Sequence, residues 1–146
     1  MSKAASDMKT EVVRKAVEAF RRRDAATLKS LFTADSEFRS ALAGGVAEGG
    51  VYRGRESVDD YLRDLEDVFE DWHTEDEEYL DAGGDRLLLL YRIVGRGKGS
   101  GVPIDQRIAI LWTVRGEKLA LGVAYLEPEE AIRAAGLAEV PAAEKR

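Results

Sequence analysis

The sequence contains no cysteine and a single histidine, His73. Without cysteine, the chain can form neither a disulfide framework nor a thiolate metal site, and it has no cysteine nucleophile. One histidine also excludes a metal site built from several histidines. We expect no bound metal and no cofactor, and we interpret His73 as a cap or surface group at the end of a helix.

Long hydrophobic runs are missing as well. No apolar run approaches the roughly 20 residues that a membrane-spanning helix needs, and the polar segment Met1–Thr10 lacks the apolar core of a signal peptide. Lys and Arg number 22 against 28 Asp and Glu, which gives a net charge of -6. Nucleic-acid binding draws its affinity from basic residues. We therefore expect a cytoplasmic protein that binds neither membranes nor nucleic acid.

The sequence does contain enough apolar material for a core. Hydrophobic residues make up 45% of the 146 residues, and a domain of this length buries about 68–70% of the surface that its unfolded chain exposes. Neither an internal repeat nor a domain linker is visible. We predict one domain over residues 1–146, with an ordered core at about residues 8–137 and a frayed polar tail.

Apolar residues spaced three and four apart predict two long helices. One runs from Glu11 to Arg23 and the other from Glu56 to about Trp72. Between them, Asp24 is the expected N-cap of a shorter helix, because its carboxylate can accept from an otherwise unpaired amide. A closing helical turn is expected over Glu127–Leu137.

Strand signals fill most of the remaining chain. Six segments carry strand signals and are punctuated by glycine-containing turns and loops. They are Ser36–Ser40, Val51–Arg53, Thr74–Asp81, Arg86–Gly95, Ile104–Val114 and Lys118–Leu126. The last four predict an antiparallel meander, so the expected fold class is α+β. Residues 41–50 are predicted to be a loop, Gly95–Gly101 a hairpin loop, and the acidic run Glu75–Glu78 a solvated strand face.

Four short segments carry a family resemblance. They are Val13–Phe20 with the following Arg23-Asp24, Leu31-Phe32, Tyr52–Glu56 and Ile110–Val114. In their order and spacing they resemble the nuclear transport factor 2-like superfamily, and within it the SnoaL-like (polyketide cyclase-like) branch. The resemblance covers roughly residues 8–137. It implies a cone-shaped fold, in which helices pack on a curved, mostly antiparallel sheet and enclose a pocket.

Isomerase relatives in that superfamily use a carboxylate base together with an oxyanion hole made of a tyrosine and a protonated acid. Carried over by the resemblance, the base position falls on Ser40, the tyrosine on Ala16 and the buried acid close to Ile110. Alanine and isoleucine cannot donate to an oxyanion, and an unaided serine is too weak a base. Isomerase chemistry by that constellation is therefore excluded.

Asp105 and Arg107 form the basis of a second hypothesis, because epoxide-hydrolase relatives use aspartate and arginine to position a water. Residues two apart share one face of a strand. The alternation that turns Ile108 and Trp112 towards the pocket turns Asp105 and Arg107 away, where an ion pair with Arg92 is expected. A hydrolase or dehydratase using Asp105 and Arg107 remains the alternative, and it requires the opposite register.

The preferred hypothesis is a domain that binds a small, mostly apolar, carbonyl-bearing molecule and has a weak isomerase- or cyclase-type activity. An amide or hydroxyl can anchor a ligand carbonyl, and aromatic rings supply apolar walls. The candidate ligand-binding residues are Ser40, Tyr52, Trp72, Tyr91, Gln106 and Trp112. For each one the structural alternative stays open: local hydrogen bonding for the polar side chains and core packing for the aromatic ones.

A third hypothesis is a non-catalytic homodimerisation module. Leu87–Leu90 is apolar on both faces of its strand, so the sheet must be covered on both sides. The outward residues are Leu88, Leu90, Ala109 and Leu111. We predict that they are buried against a second copy of the chain. A homodimer is compatible with either of the other hypotheses and is expected with both.

Overall fold

The computed structural model describes residues 3–40 and 50–137, with four helices and six strands in these ranges. In chain order they are α1 (Lys3–Arg21), α2 (Ala25–Ser30), β1 (Phe32–Arg39), β2 (Val51–Arg53), α3 (Ser57–Val68), β3 (Phe69–Asp81), β4 (Arg86–Gly97), β5 (Pro103–Arg115), β6 (Lys118–Tyr125) and α4 (Pro128–Ala134). The predicted α+β fold class is confirmed. Apart from Gly50, the loop predicted at residues 41–50 lies outside the described residues. None of the helices in these ranges has the length and apolarity needed to cross a bilayer.

The strands form one curled, unclosed sheet in the order β2-β1-β6-β5-β4-β3. Strands β3 to β6 pair antiparallel with their neighbours in chain order, which confirms the predicted meander. β1 lies parallel to β6 and antiparallel to β2. The sheet is therefore mostly antiparallel, with β2 and β3 at its two edges.

The main core lies between one face of the sheet and the helices α1 and α3. From β5, Ile108, Ile110 and Trp112 enter this core and are at most 6% exposed. Asp105 and Arg107 are exposed on the opposite face, so the predicted alternation of β5 is confirmed. Burial of one large apolar side chain contributes about 1.5–3 kcal/mol. A shift of one residue in the pairing of β5 would turn these buried side chains to the outer face. The burial free energy that would then be lost fixes the register.

The opposite face of the sheet is covered by α4 of the same chain. A second cluster joins Leu88, Leu90, Ala109 and Leu111 to the apolar stripe of α4, which consists of Ala131, Ile132 and Ala135. The four sheet residues are 0–8% exposed within the single chain. The predicted dimer surface is therefore wrong, because α4 already buries these side chains. A homodimer that uses some other surface stays a prediction.

Helix α3 ends at Val68, so the prediction that it continues to Trp72 is wrong. Phe69 adopts extended dihedral angles (φ -114°, ψ 137°) and begins β3. Trp72 pairs with Gly95 of β4, where a Cβ atom would lie 2.9 Å from the Trp72 Cα. Close pairing with this glycine outweighs the helical periodicity of the sequence. His73 consequently lies on a strand, exposed, with Nε2 2.6 Å from Glu75 Oε2.

Candidate functional site

A cavity of about 80 Å³ lies between the helices and the inner face of the sheet. Helix α1 contributes Val13, Ala16, Val17 and Phe20, because its apolar stripe faces the sheet. The aromatic lining residues are Phe20, Phe32, Phe38, Tyr52, Tyr61, Tyr91 and Trp112. Besides the tyrosines, the lining residues with polar side chains are Ser36, Ser57, Thr74 and Glu77. Most of the wall is therefore apolar, with a few hydroxyl groups and one carboxylate.

Trp112 of β5 forms one wall of the cavity. Its ring stacks on Phe38 with the centroids 5.5 Å apart and the planes inclined by 16°, and its centroid lies 5.8 Å from that of Phe32. The indole Nε1–H is buried and has no hydrogen-bond partner among the described residues. An unpaired buried donor costs about 1–3 kcal/mol.

Tyr52 lines the cavity, and its hydroxyl is hydrogen-bonded to a residue of α3. The Tyr52 hydroxyl donates to Asp64 Oδ2 of α3 at 2.5 Å, and both side chains are buried. Burial, followed by the hydrogen bond and the negative charge of Asp64, raises the pKa of Tyr52 well above its ordinary value. Tyr52 is therefore a neutral phenol with a fixed orientation at neutral pH.

Tyr61 and Tyr91 add two further phenols to the wall. Burial raises the pKa of each, and a hydrogen bond between Tyr61 and Ser40 partly offsets this effect for Tyr61. The neighbouring Tyr61 and the carboxylate of Glu77 raise the pKa of Tyr91 further. Both phenols stay protonated near neutral pH, so they can donate hydrogen bonds to a carbonyl oxygen.

The carboxylate of Glu77 reaches the cavity through a β-bulge in β3. The pairing with β4 shifts between Glu75 and Glu78, so that Asp76 and Glu77 together oppose Tyr91. Asp76 has φ 60°, in a left-handed region that aspartate tolerates better than most residues. The bulge changes the parity of the strand, and Thr74 and Glu77 therefore both face the cavity.

Three of the six predicted ligand-binding residues line the cavity: Tyr52, Tyr91 and Trp112. Trp72 is buried in the core outside the lining. Its ring centroid lies 4.6 Å from that of Phe20, and the Arg23 guanidinium sits 3.5 Å above it. Trp72 therefore packs in the core, which is the alternative left open for the aromatic candidates. It takes this position because α3 ends before it.

The two predicted polar anchors lie beside the cavity, outside its lining. Ser40 directly follows β1 and pairs with Tyr61, a lining residue. Gln106 has the inward parity of β5 but lies in its half-exposed first part, where Nε2 donates to the Arg107 carbonyl at 2.8 Å. That contact is the local hydrogen bond considered as an alternative. A ligand contact by any of the six candidates stays a prediction.

Asp105 and Arg107 lie on the outer face of the sheet, away from the cavity. Arg92 binds both carboxylate oxygens of Asp105, at 3.0 and 2.8 Å, and also contacts Asp76 at 2.6 Å. The ion pair expected between Asp105 and Arg92 is thus present, and its hydrogen bonds hold the pKa of Asp105 below the ordinary value. The register that a catalyst built on Asp105 and Arg107 would need is not the one observed.

Sequence reasoning missed Glu77 and Thr74 in the cavity wall. The run Glu75–Glu78 was expected to be solvated, and strict alternation places Thr74 and Glu77 on opposite faces. The aspartate at position 76, inside a strand, is the one local signal of a bulge, and a single sequence gives it little weight. Within residues 3–40 and 50–137, no group of three or more histidine, aspartate or glutamate side chains could hold a metal ion.

The comparisons with known proteins agree on the fold. The model of the SnoaL-like domain family matches residues 13–121. A search of curated proteins found no match. A nuclear transport factor 2-like protein of unknown function from Burkholderia pseudomallei superposes with a TM-score of 0.73 at 19% identity, covering 91% of this chain and 97% of its own. TerC, co-crystallised with polyporic acid, gives 0.71 at 18% identity, with 88% and 98% covered. A candidate polyketide cyclase from Xanthomonas campestris gives 0.70 at 18% identity, with 90% and 98% covered.

Proposed function

The chain belongs to the SnoaL-like domain family, and we propose that it binds a small, mostly apolar, carbonyl-bearing molecule in its cavity. The observation that carries the proposal is a largely apolar cavity wall that includes the protonated phenols of Tyr61 and Tyr91. Apolar walls with a few oriented polar groups are typical of small-molecule sites. A carbonyl oxygen can accept a hydrogen bond from the hydroxyl of Tyr61 or Tyr91.

A cyclase- or isomerase-type activity is the chemistry that we propose for this cavity. The Xanthomonas campestris neighbour is a candidate polyketide cyclase, and TerC was crystallised with polyporic acid. At 18% identity these neighbours show the fold alone, so the support comes from the cavity of this chain. The proposal uses cavity residues, and the outer pair Asp105 and Arg107 has no part in it.

The cavity volume restricts the size of the ligand. Its roughly 80 Å³ is less than the approximately 150 Å³ of an engineered cavity that accommodates benzene. Acyclic and single-ring ketones are therefore the first ligands to test. A steroid, an aromatic polyketide or a terpenoid would enter only if lining side chains such as Phe38 and Tyr61 moved apart.

Thermal-shift measurements on the full chain test the proposal. The first panel contains butanone and cyclopentanone, and the second contains steroids, aromatic polyketides and terpenoids. The variant Ala16→Leu fills the cavity from α1, because Ala16 is a lining residue. The matched control is Ala26→Leu on the exposed surface of α2.

We expect at least one carbonyl compound to raise the melting temperature of the native chain and of Ala26→Leu, and to lose this effect in Ala16→Leu. A compound at 100 times its Kd stabilises by about 2.7 kcal/mol. If no compound of either panel stabilises the protein, the proposed function is wrong. Equal stabilisation of Ala16→Leu would show that the ligand binds elsewhere.

A further inference from the structure

Glu77 is the only aspartate or glutamate among the described residues that line the cavity. Its side chain is 14% exposed, whereas the neighbouring Glu78 points to the outer face opposite Leu90 and is exposed. The bulge at Asp76 is what separates the two glutamates in this way. A backbone irregularity has thus placed one carboxylate of an acidic strand inside the largely apolar interior.

The contacts of Glu77 hold one carboxylate oxygen and leave the other available. The hydroxyl of Thr74, itself 3% exposed, donates to Oε2 at 2.6 Å. Arg21 at the end of α1 places Nη2 3.8 Å from the same Oε2. Among the described residues, no hydrogen bond or ion pair involves Oε1. The carboxylate is therefore oriented by two groups on one side while Oε1 stays free to meet a ligand.

Glu77 and Tyr91 also line a second concavity, on the outer side of the sheet. This groove has a volume of about 390 Å³ and borders Arg92, Arg107 and Pro128 at the start of α4. Glu77 and Tyr91 belong to both linings, so they form the wall between the interior cavity and the groove. The Glu77 side chain is 14% exposed, so the carboxylate is not fully closed off from solvent.

We infer that Glu77 is the general base of the cavity and removes a proton from the carbon next to the carbonyl group of a small bound ketone. The inference rests on the proposed function and deepens it by naming the reacting residue and the substrate class. It differs from the isomerase constellation excluded above, because neither Ser40, Ala16 nor Ile110 takes part.

The proton transfer is balanced within the site. Glu77 Oε1 takes the proton, the C–H electron pair becomes the double bond of an enolate, and the carbonyl electron pair moves to oxygen. The neutral hydroxyl of Tyr91 donates a hydrogen bond to that oxygen. Burial keeps the pKa of Tyr91 high, which preserves this donor. Glu77, now a carboxylic acid, returns a proton to the same carbon or to a conjugated one.

Hydrogen–deuterium exchange measures this step without knowledge of the final product. The full chain is incubated with butanone or cyclopentanone in D₂O, and the loss of the proton signals next to the carbonyl is followed by NMR. The variant Glu77→Gln removes the base, and Glu78→Gln makes the same change on the neighbouring residue of the strand. The thermal shift that each ketone causes is measured for all variants in parallel.

We expect the native chain and Glu78→Gln to catalyse exchange at equal rates, and Glu77→Gln to lose about 10²-fold or more while the ketone still raises its melting temperature. Should Glu77→Gln fail to fold, Glu77→Asp keeps the charge opposite Arg21 and withdraws the base by one methylene. It should then bind the ketone and exchange more slowly than the native chain.

The outcomes separate the inference from the proposed function. A ketone that stabilises the native chain without exchange overturns the role of Glu77 and leaves ligand binding standing. Exchange by Glu77→Gln at the native rate overturns it as well. If neither butanone nor cyclopentanone produces a thermal shift or exchange, the inference fails, and the binding proposal fails with it only when no compound of the second panel stabilises the protein.

Discussion

The indole ring of Trp112 lies directly against Gly122, its partner across the β5–β6 pair. A Cβ atom at position 122 would lie only 2.7 Å from Cε3 of the ring, closer than real side chains approach. Because Gly122 has no side chain, the Trp112 ring can occupy this position in the cavity wall.

Gly122→Ala should displace the Trp112 ring and destabilise the protein. Overpacking of a filled core costs about 1–3 kcal/mol, and we expect the free energy of unfolding in urea to fall by that amount. The control is a double-mutant cycle with Trp112→Leu, which removes the ring. Gly122→Ala should cost clearly less in that background. An equal cost in both backgrounds would mean that the ring is not the obstacle.

Lys9 should contribute more to stability than other lysines of α1. It is 2% exposed, and its Nζ donates to Asp81 Oδ1 at 2.6 Å and to the carbonyls of Gly84 and Arg86 at 2.9 and 3.0 Å. Lys9→Met removes these bonds between α1 and the β3–β4 turn. We expect a loss of about 1–3 kcal/mol, measured by urea unfolding.

The matched variant for Lys9→Met is Lys15→Met, because Lys15 lies on an exposed part of the same helix. It should change the free energy of unfolding by no more than about 0.5 kcal/mol. Similar losses in the two variants would contradict the anchoring role of Lys9.

The stability of the fold should fall in alkaline solution because Tyr52, Tyr61 and Tyr91 all have raised pKa values. In the unfolded chain tyrosine ionises near pH 10, so the unfolded state loses protons before the folded one. The stabilisation by these tyrosines is therefore complete below about pH 10 and decreases as the pH rises above it.

Urea unfolding at increasing pH, followed by circular dichroism and tyrosinate absorbance, measures this loss. Ionisation of the three phenols should accompany unfolding, and Tyr91→Phe should make the decrease with pH less steep. Tyrosinate absorbance from all the tyrosines in a chain that is still folded would show that the interior phenols are accessible to base.

The elements with regular alternation were predictable from the sequence. In β5, Ile108 and Trp112 face the core and Asp105 faces Arg92, as the period of two requires. The meander and the N-cap role of Asp24 also follow from local signals, and Asp24 accepts from Thr27 as expected. Local chemistry decides these features, so a single sequence reveals them.

Features that depend on contacts between distant segments were not predictable. The end of α3 is determined by the pairing of Trp72 with Gly95, twenty-three residues later in the chain. The outer sheet face is covered by α4, whose short apolar stripe does not indicate which surface it packs against. The bulge at Asp76 turns Glu77 inward and is apparent only once β3 and β4 are paired. The candidate site depends on that bulge and could not be assembled in advance.

Strand β3 combines an edge position with an extreme composition. Its thirteen residues include seven acidic ones and neither lysine nor arginine. An unpaired edge is a template for another copy of the same strand, and charged side chains are a common protection against this. Two β3 edges brought together would oppose like charges along much of their length. The acidic composition of β3, which supplies Glu77 to the cavity, thus also makes sheet-to-sheet polymerisation through this edge unfavourable.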